Sequence, residues 1–330
     1  MLRLPQFGVA SPTTIEEAVA ALAEPGARVV AGGTDILPNL KHRLDRPPRL
    51  VSLSRVDGLR HVTRDGDVLR IGAGVTLVDV SEHDEVRALL PSLATAAGLV
   101  ASPSIRNMGT LGGNINLDTR CRYVNQSEFW RSAIGGCLKS EGDVCHVVPG
   151  GRNCVAAMSS DCTPVLVTLG AEVVLVGPNG ERRVPIADYY NTDGTKHINR
   201  EAGELTTEVR VPLPAGPRRS TYAKWTVRRS IDFPLVSVAM RFDLDGDSVD
   251  AHVTGAGICV GVLNAVPRPI KRTDSLVGAK LSEAAVADAV ADLVFRQSKP
   301  LPNVPYDAPY RRKMLPVYAR RALAALVAEG

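Results

Sequence analysis

Two glycine-rich segments constrain the fold of this 330-residue chain more than any other feature. The first contains Gly32-Gly33 and precedes a predicted helix start at Ile36, and the second, residues 107–114, reads Asn-Met-Gly-Thr-Leu-Gly-Gly-Asn. Glycine lets the backbone approach a ligand closely, and consecutive N–H groups at a turn or helix start can bind pyrophosphate. Neither segment has the G-x-G-x-x-G spacing of a Rossmann site. One glycine pair is more often only a tight turn, but two together favour a dinucleotide site of another type.

Turn and strand signals divide the chain into three units. Residues 1–55 predict a β-α-β unit, whose first helix begins at Thr13-Thr14 because a hydroxyl cap is followed there by acidic residues. Residues 56–216 predict strands and helices around the second glycine segment, with Asn179-Gly180 turning a hairpin. The stretch 212–217 contains proline and glycine and marks a boundary, so residues 217–330 predict a separate α+β domain. Beyond residue 55 the predicted strands are 68–76, 165–167, 172–176, 182–184, 223–227, 236–244 and 249–255, and the predicted helices are 77–84, 86–100, 282–297 and 310–328.

Composition excludes several classes of function. Aromatic residues make up 4% of the chain and the net charge of +4 is spread without a basic block, so neither a nucleic acid nor a membrane surface is an expected partner. No apolar stretch approaches the length of a membrane span, and residues 1–7 lack the apolar core of a signal peptide. These features predict a cytoplasmic protein, in which structural disulfides are not expected.

Four of the six cysteines, Cys121, Cys137, Cys145 and Cys154, lie within one polar stretch that has little helical or strand periodicity. In a reducing compartment, clustered cysteines favour metal binding or redox chemistry. Their spacings of 16, 8 and 9 positions lack the C-x₂-C pairs that are common in zinc and iron–sulfur sites. Spacing alone therefore leaves zinc and an iron–sulfur cluster equally open, with unrelated free cysteines as a third alternative.

Three motifs in order carry a resemblance to a known family. Residues 31–35 and 105–115, followed by Ser160-Asp161-Cys162-Thr163-Pro164, resemble the FAD signatures of the molybdenum hydroxylase flavoproteins, which include the FAD portions of xanthine dehydrogenase and carbon monoxide dehydrogenase. The resemblance continues through Lys224 and residues 307–311 and covers nearly the whole chain. It implies an α+β fold, with a two-part FAD-binding domain of the PCMH/VAO-like type (1–55 and 56–216) and a C-terminal α+β domain (217–330).

The resemblance also implies which residues bind FAD. Residues 32–36 and 109–113 would hold the pyrophosphate, and Asp161 would contact the ribityl region. Lys224 would supply a positive charge, although a surface lysine on a strand is an equally good interpretation, and Thr76 lies in a family motif without a defined role. The complete set is Ala31, Gly32, Gly33, Thr34, Asp35, Ile36, Thr76, Asn107, Gly109, Thr110, Leu111, Gly112, Gly113, Asn114, Asp161 and Lys224.

The cysteine-bearing stretch is an insertion relative to simpler members of the family. It spans about 118–159 and resembles the loop of the 4-hydroxybenzoyl-CoA reductase branch, in which four cysteines hold a [4Fe-4S] cluster. By this resemblance the cluster ligands are Cys121, Cys137, Cys145 and Cys154. Arginines of the insertion (120, 122, 131 and 152) are candidates to offset the cluster's charge, or are simply solvated. Cys162 and His146 are not expected to be ligands.

The implied function is electron transfer, with no catalytic residue in this chain. A low-potential ferredoxin would donate electrons to the cluster and FAD, which pass them to a small [2Fe-2S] subunit and a large molybdopterin-binding subunit. The complex would be a dimer of heterotrimers that removes the phenolic hydroxyl of an aromatic acyl-CoA. Two alternatives stay open: the FAD subunit of an oxidative molybdenum hydroxylase, and a non-catalytic, zinc-stapled binding protein.

Overall fold

The computed structural model describes residues 3–328, and its first unit is a small parallel sheet with two helices. The strands have the order β1-β3-β2, and all neighbours run parallel. Helix α1 begins where the sequence predicts, because the Thr14 side chain accepts a hydrogen bond from the Glu17 N–H at 3.2 Å. The elements are β1 (Gly8–Ala10), α1 (Ile15–Leu22), β2 (Arg28–Val30), α2 (Ile36–Lys41) and β3 (Arg49–Ser52).

The second unit is an antiparallel sheet of order β4-β5-β8-β6-β7, packed against short helices. Its strands are β4 (Val62–Asp65), β5 (Val68–Gly72), β6 (Glu172–Gly177), β7 (Gly180–Pro185) and β8 (Leu205–Pro212). Its helices are α3 (Leu77–Glu82), α4 (Asp84–Leu89), α5 (Pro91–Gly98), α6 (Pro103–Arg106), α7 (Leu111–Ile115), α8 (Glu128–Ala133) and α9 (Cys162–Thr168).

Four predictions in this unit need correction. Residues 73–76 of the first predicted strand form a turn, because Gly74 donates its N–H to the Leu59 carbonyl oxygen and β5 ends at Gly72. Residues 165–167 form no strand but the middle of α9, because a short apolar run does not distinguish a buried strand from a buried helix. The helix predicted over 86–100 is broken before Pro91, which starts a helix readily but cannot continue one. The hairpin is confirmed, but its two-residue turn is Pro178-Asn179, and Gly180 (φ +101°) is already the first residue of β7.

The third unit is a four-stranded antiparallel sheet with order β12-β11-β10-β9, covered by two helices. The strand predicted over 249–255 begins at Val253, four residues later than the sequence predicts. Helices α5 and α9 of the second unit pack against this sheet, so the units share an interface. None of the helices within residues 3–328 is long and apolar enough to cross a membrane. The elements are β9 (Arg218–Trp225), β10 (Val236–Leu244), β11 (Val253–Gly261), β12 (Arg268–Pro269), a 3-10 helix (Thr273–Leu276), α10 (Ala284–Gln297) and α11 (Ala308–Ala328).

Candidate functional site

The two glycine segments meet in space. Gly32 lies directly on the peptide that joins Met108 to Gly109, and a Cβ atom on Gly32 would overlap the Met108 carbonyl oxygen. Gly109 in turn faces Thr34, whose Oγ1 lies 3.5 Å from the place of a Cβ on Gly109. Two turns separated by more than 70 residues therefore form one surface, and the close approach of their backbones requires glycine.

The first segment presents unused hydrogen-bond donors. The backbone N–H groups of residues 32–36 find no acceptor among residues 3–328, although these residues are half-buried. Gly33 has φ +73°, the left-handed conformation that turns consecutive N–H groups toward one side. Because a half-buried N–H without an acceptor costs free energy, this turn is suited to bind an anion.

The second segment is mostly committed to packing. Thr110 caps α7 by accepting a hydrogen bond from the Gly113 N–H at 3.0 Å. Gly112 lies against Ala73, whose Cβ is 2.6 Å from the place of a Cβ on Gly112. Asn114 is buried, and its Oδ1 accepts hydrogen bonds from Ser160 Oγ (2.7 Å) and the Cys162 N–H (3.2 Å). The buried Leu111 belongs to the core, whereas Asn107 and Gly113 are exposed.

Thr76 lies beside this segment, since it forms an antiparallel β-bridge with Thr110. Its side chain caps α3 by accepting from the Asp79 N–H at 3.2 Å and donating to Asp79 Oδ2 at 2.6 Å. The hydroxyl of Thr76 thus has a local structural role in α3, and its position brings it next to the paired glycine segments.

Asp161 and Lys224 form a buried ion pair behind α7. The Lys224 Nζ lies 3.1 Å from Asp161 Oδ1, which also accepts a hydrogen bond from the Tyr222 hydroxyl at 2.7 Å. Both charged side chains are less than a tenth exposed. Burial raises the pKa of the Asp161 carboxyl, and the neighbouring Lys224 and Tyr222 oppose that shift. No hydrogen bond or ion pair of the described residues links this pair to residues 32–36.

The cysteine-bearing insertion is folded around its thiols. Cys121, Cys145 and Cys154 are buried and Cys137 is half-buried, and Val124 and Ala156 pack with Cys121, Cys154 and Cys137. Burial, together with the nearby thiols of Cys154 and Cys137, raises the pKa of the Cys121 thiol to about 11. Within residues 3–328, no three His, Cys, Asp or Glu side chains are close enough together to coordinate one metal ion.

Comparison with known families decides the identity. Residues 5–214 match the model of the FAD binding domain in molybdopterin dehydrogenase, and residues 221–326 match the C-terminal domain of the CO dehydrogenase flavoprotein. The chain belongs to this family of flavoproteins. It is the FAD subunit of a molybdenum hydroxylase, and the predicted fold, an FAD-binding domain followed by a C-terminal α+β domain, is confirmed.

Relatives of the FAD subunit align over nearly their whole length. The aldehyde oxidoreductase FAD-binding subunit PaoB of Escherichia coli is 32% identical over 96% of both chains. The carbon monoxide dehydrogenase medium chain of Hydrogenophaga pseudoflava is 29% identical over 97% of both. A solved carbon monoxide dehydrogenase from the same organism, which lacks the Mo-pyranopterin moiety, superimposes with a TM-score of 0.79, 26% identity and 99% coverage of both chains.

Two arginines of the insertion, Arg120 and Arg131, bond to residues at the two ends of α2. The sequence alone does not indicate these partners. Arg131 is buried and donates to the carbonyl oxygens of His42 (2.9 Å) and Arg43 (3.3 Å), just beyond the C-terminal end of α2. Arg120 forms an ion pair with Asp35 at the other end of the helix. The sequence marks both arginines only as charges near the cysteines, because the two segments that they join are more than 80 residues apart.

The remaining polar residues of the insertion mostly have structural partners. Lys139 Nζ lies 2.6 Å from each of Asp118 Oδ1, Thr119 Oγ1 and the Gly194 carbonyl oxygen. His146 Nε2 lies 2.6 Å from the carbonyl oxygen of Gly136. Cys162 lies outside the insertion and is fully buried in the core of the second unit. These contacts hold the insertion together and fix Lys139 to the chain at Gly194.

Proposed function

We propose that the paired glycine segments hold FAD, with the pyrophosphate on the free N–H groups of residues 32–36. Two observations support this proposal: the two glycine segments contact each other, and the N–H groups of residues 32–36 beside that contact have no acceptor among the described residues. The matching family domain is an FAD-binding domain. FAD, when bound, accepts and donates electrons one or two at a time. In this assignment the second segment positions the first, because Gly109 and Met108 support Gly32 from behind.

The proposed roles of the other site residues follow from where they lie. Thr76 and Asn107 border the paired turns, and Gly113 offers the exposed face of α7. Asp161 and Lys224 would fix the region behind α7, and the Lys224 ammonium would add positive charge there. Leu111, Gly112 and Asn114 would hold FAD indirectly, since each of these residues is packed inside the protein.

The insertion is proposed to hold a [4Fe-4S] cluster on Cys121, Cys137, Cys145 and Cys154. Four cysteines in one insertion, three of them buried, support it, because burial disfavours thiolates unless a metal centre compensates their charge. Tetrahedral zinc would require sulfurs about 3.8 Å apart. The described residues bring no three His, Cys, Asp or Glu side chains into a metal-binding arrangement, so the proposal of a cluster rests on the likeness of the insertion to a four-cysteine loop, and zinc stays an outcome of the metal analysis.

The proposed complex contains a large molybdopterin-binding subunit and a small [2Fe-2S] subunit, arranged as a dimer of heterotrimers with this chain as the medium subunit. Relatives named as medium chains of carbon monoxide dehydrogenases support this composition. A ferredoxin is the proposed donor, and the proposed reaction is reductive dehydroxylation of an aromatic acyl-CoA such as 4-hydroxybenzoyl-CoA. Substrate chemistry takes place on the large subunit, so this chain contributes cofactor binding and orientation.

A second candidate is an oxidative hydroxylase whose electrons leave through this subunit. The observation that favours it is the 32% identity to the FAD-binding subunit of an aldehyde oxidoreductase. The two candidates share the fold and the FAD site, and they differ in the direction of electron flow.

Cofactor content tests the assignment. Anaerobically purified protein is expected to contain about one FAD, four iron and four sulfide per chain, beyond what the partner subunits carry. The measurement is flavin absorbance after denaturation, together with iron, zinc and acid-labile sulfide analysis. Stoichiometric zinc without sulfide would show that the insertion is a structural zinc site.

The direction of electron transfer is tested on the intact complex. A Cys137→Ser/Cys145→Ser variant is expected to lose the cluster, because two ligands are missing, and with it turnover driven by reduced ferredoxin. Dye-linked oxidation, compared per bound FAD, should largely survive. Cys259→Ala is the matched control, since this buried cysteine lies in β11, outside the insertion. Aldehyde oxidation by a wild-type complex that does not accept electrons from ferredoxin would favour the second candidate.

A further inference from the structure

Asp35 occupies an unexpected setting at the start of α2. An aspartate at this position commonly accepts hydrogen bonds from the first N–H groups of the helix. Here its backbone is helical (φ −109°, ψ −49°) and its side chain makes no capping hydrogen bond. The carboxylate instead receives the Arg120 guanidinium, the side-chain amide of Asn39 (3.3 Å) and the N–H of Asp118 (3.4 Å). The Asp35 carboxylate therefore bonds to Asn39, Asp118 and Arg120 and to none of the backbone N–H groups of residues 32–36.

A carboxylate at this place is unfavourable for anion binding. Residues 32–36 present the free N–H groups, and Asp35 is one of these residues. If its side chain turned toward them, it would both occupy the donors and repel a pyrophosphate. Two like charges a few ångströms apart repel each other at the effective dielectric constant of a protein surface. The position of the carboxylate thus decides whether the turn is available to a phosphate.

Arg120 is held in place from three sides. Its backbone pairs with Ala157, through hydrogen bonds of 2.8 and 2.6 Å, and so closes the base of the insertion. Its guanidinium lies 4.2 Å from the ring centroid of Phe233, in the segment between β9 and β10. Both members of the Arg120–Asp35 pair are about one-fifth exposed, so solvent screens the pair only in part. Cys121 follows directly in the chain.

We propose that Arg120 is a positioning residue for FAD. It neutralises Asp35 and holds the carboxylate away from the N–H groups of residues 32–36, which leaves those donors free for the pyrophosphate. Because Arg120 belongs to the insertion, an ordered insertion and tight FAD binding stabilise each other, and this linkage is reciprocal. The inference rests on the proposed FAD site. It means that the Asp35 carboxylate does not contact the cofactor and that its negative charge must be neutralised.

A mutant cycle on the FAD dissociation constant separates this role from a merely structural one. Arg120→Met should weaken FAD binding about tenfold or more, since the Asp35 carboxylate is then uncompensated. Asp35→Asn keeps every backbone N–H group of residues 32–36 and removes only the carboxylate charge, so it should bind FAD at least as tightly as the wild type. The double variant Arg120→Met/Asp35→Asn should recover most of the lost affinity. Arg122→Met is the matched control, because Arg122 is exposed and flanks Cys121 on the other side.

Titration of flavin-stripped full-length protein with FAD, followed by flavin fluorescence, gives the dissociation constants of the four proteins in the cycle and of the Arg122→Met control. Loss of affinity in Asp35→Asn alone would overturn the proposal, because Asp35 would then bind the cofactor itself. Failure of the double variant to regain affinity would also overturn it, as would an Arg120→Met constant equal to that of Arg122→Met. A wild-type protein that binds no FAD would instead refute the proposed function. Asp35→Asn keeps Arg120 and so tests the proposal even if Arg120→Met does not fold.

Discussion

Replacing Arg311 by Met is expected to lower the free energy of unfolding by about 3 kcal/mol or more. The Arg311 side chain is fully buried near the start of α11, and its donors reach the backbone carbonyl oxygens of Leu235 (2.9 Å), Leu301 (2.7 Å) and Val262 (2.6 Å). A weaker bond of 3.4 Å reaches Asn303 Oδ1. One guanidinium therefore joins the chain before β10, the chain after β11 and the segment that enters α11.

Two effects oppose each other in this substitution. Burial is unfavourable for the cation and lowers the pKa of Arg311 to about 10, so an apolar side chain removes a desolvation cost. The acceptors are backbone carbonyl groups that stay buried, and each loses its donor. We expect the second effect to be larger because three carbonyl groups depend on one side chain.

Urea unfolding at matched FAD occupancy measures the difference, since bound ligand adds its own stabilisation. Arg312→Met is the control. This neighbour is half-buried, and its guanidinium contacts only the ring and carbonyl oxygen of Phe295, so its loss should cost less than about 1 kcal/mol. Equal stability of the two variants would show that Arg311 does not hold these three segments together.

Local signals made part of the fold predictable. The first helix follows from a capping hydroxyl and acidic residues, and the β6–β7 hairpin follows from the Asn179-Gly180 signal, although the turn itself is Pro178-Asn179. The glycine segments can be recognised in the sequence because some backbone conformations, such as the positive φ of Gly33, favour glycine over other residues. Family resemblance then supplied the order of the domains, which the matches over 5–214 and 221–326 support.

Long-range interactions left no comparable mark. The strand β8 lies at the centre of its sheet, yet its mixture of threonine, glutamate and arginine gives no clear alternation, and its polar residues are buried by pairing such as Glu208 with Arg70. The sequence assigns Gly112 to a phosphate, whereas the structure places it against Ala73. In the sequence, Arg120 and Arg131 are only charged residues of a loop. Their partners become apparent in the structure, where α2 lies beside the insertion. Their roles depend on tertiary contacts that no local pattern encodes.

Lys224→Met is expected to destabilise the protein by about 3 kcal/mol at neutral pH, because it leaves the buried Asp161 carboxylate without its cation. Only the Tyr222 hydroxyl, 2.7 Å from Oδ1, would remain as a strong partner. The double variant Lys224→Met/Asp161→Asn removes both charges and should recover most of this loss. Lys271→Met, on the exposed surface, is the control and should change the free energy of unfolding little.

The pH dependence of Lys224→Met identifies the uncompensated carboxylate. Burial already raises the pKa of Asp161, and Lys224 is the largest of the influences that lower it, so its removal raises the folded-state pKa further. A carboxyl group with a raised folded-state pKa keeps its full stability below the unfolded-state pKa and loses it as the pH rises through the folded-state pKa. The deficit of Lys224→Met relative to wild type should therefore be small in mild acid and grow toward neutral and alkaline pH. Urea unfolding at a series of pH values measures it, and Lys224→Met/Asp161→Asn should lack the dependence. A deficit of Lys224→Met that stays constant over the whole series would mean that lost packing of the lysine stem, not the buried charge of Asp161, causes the destabilisation.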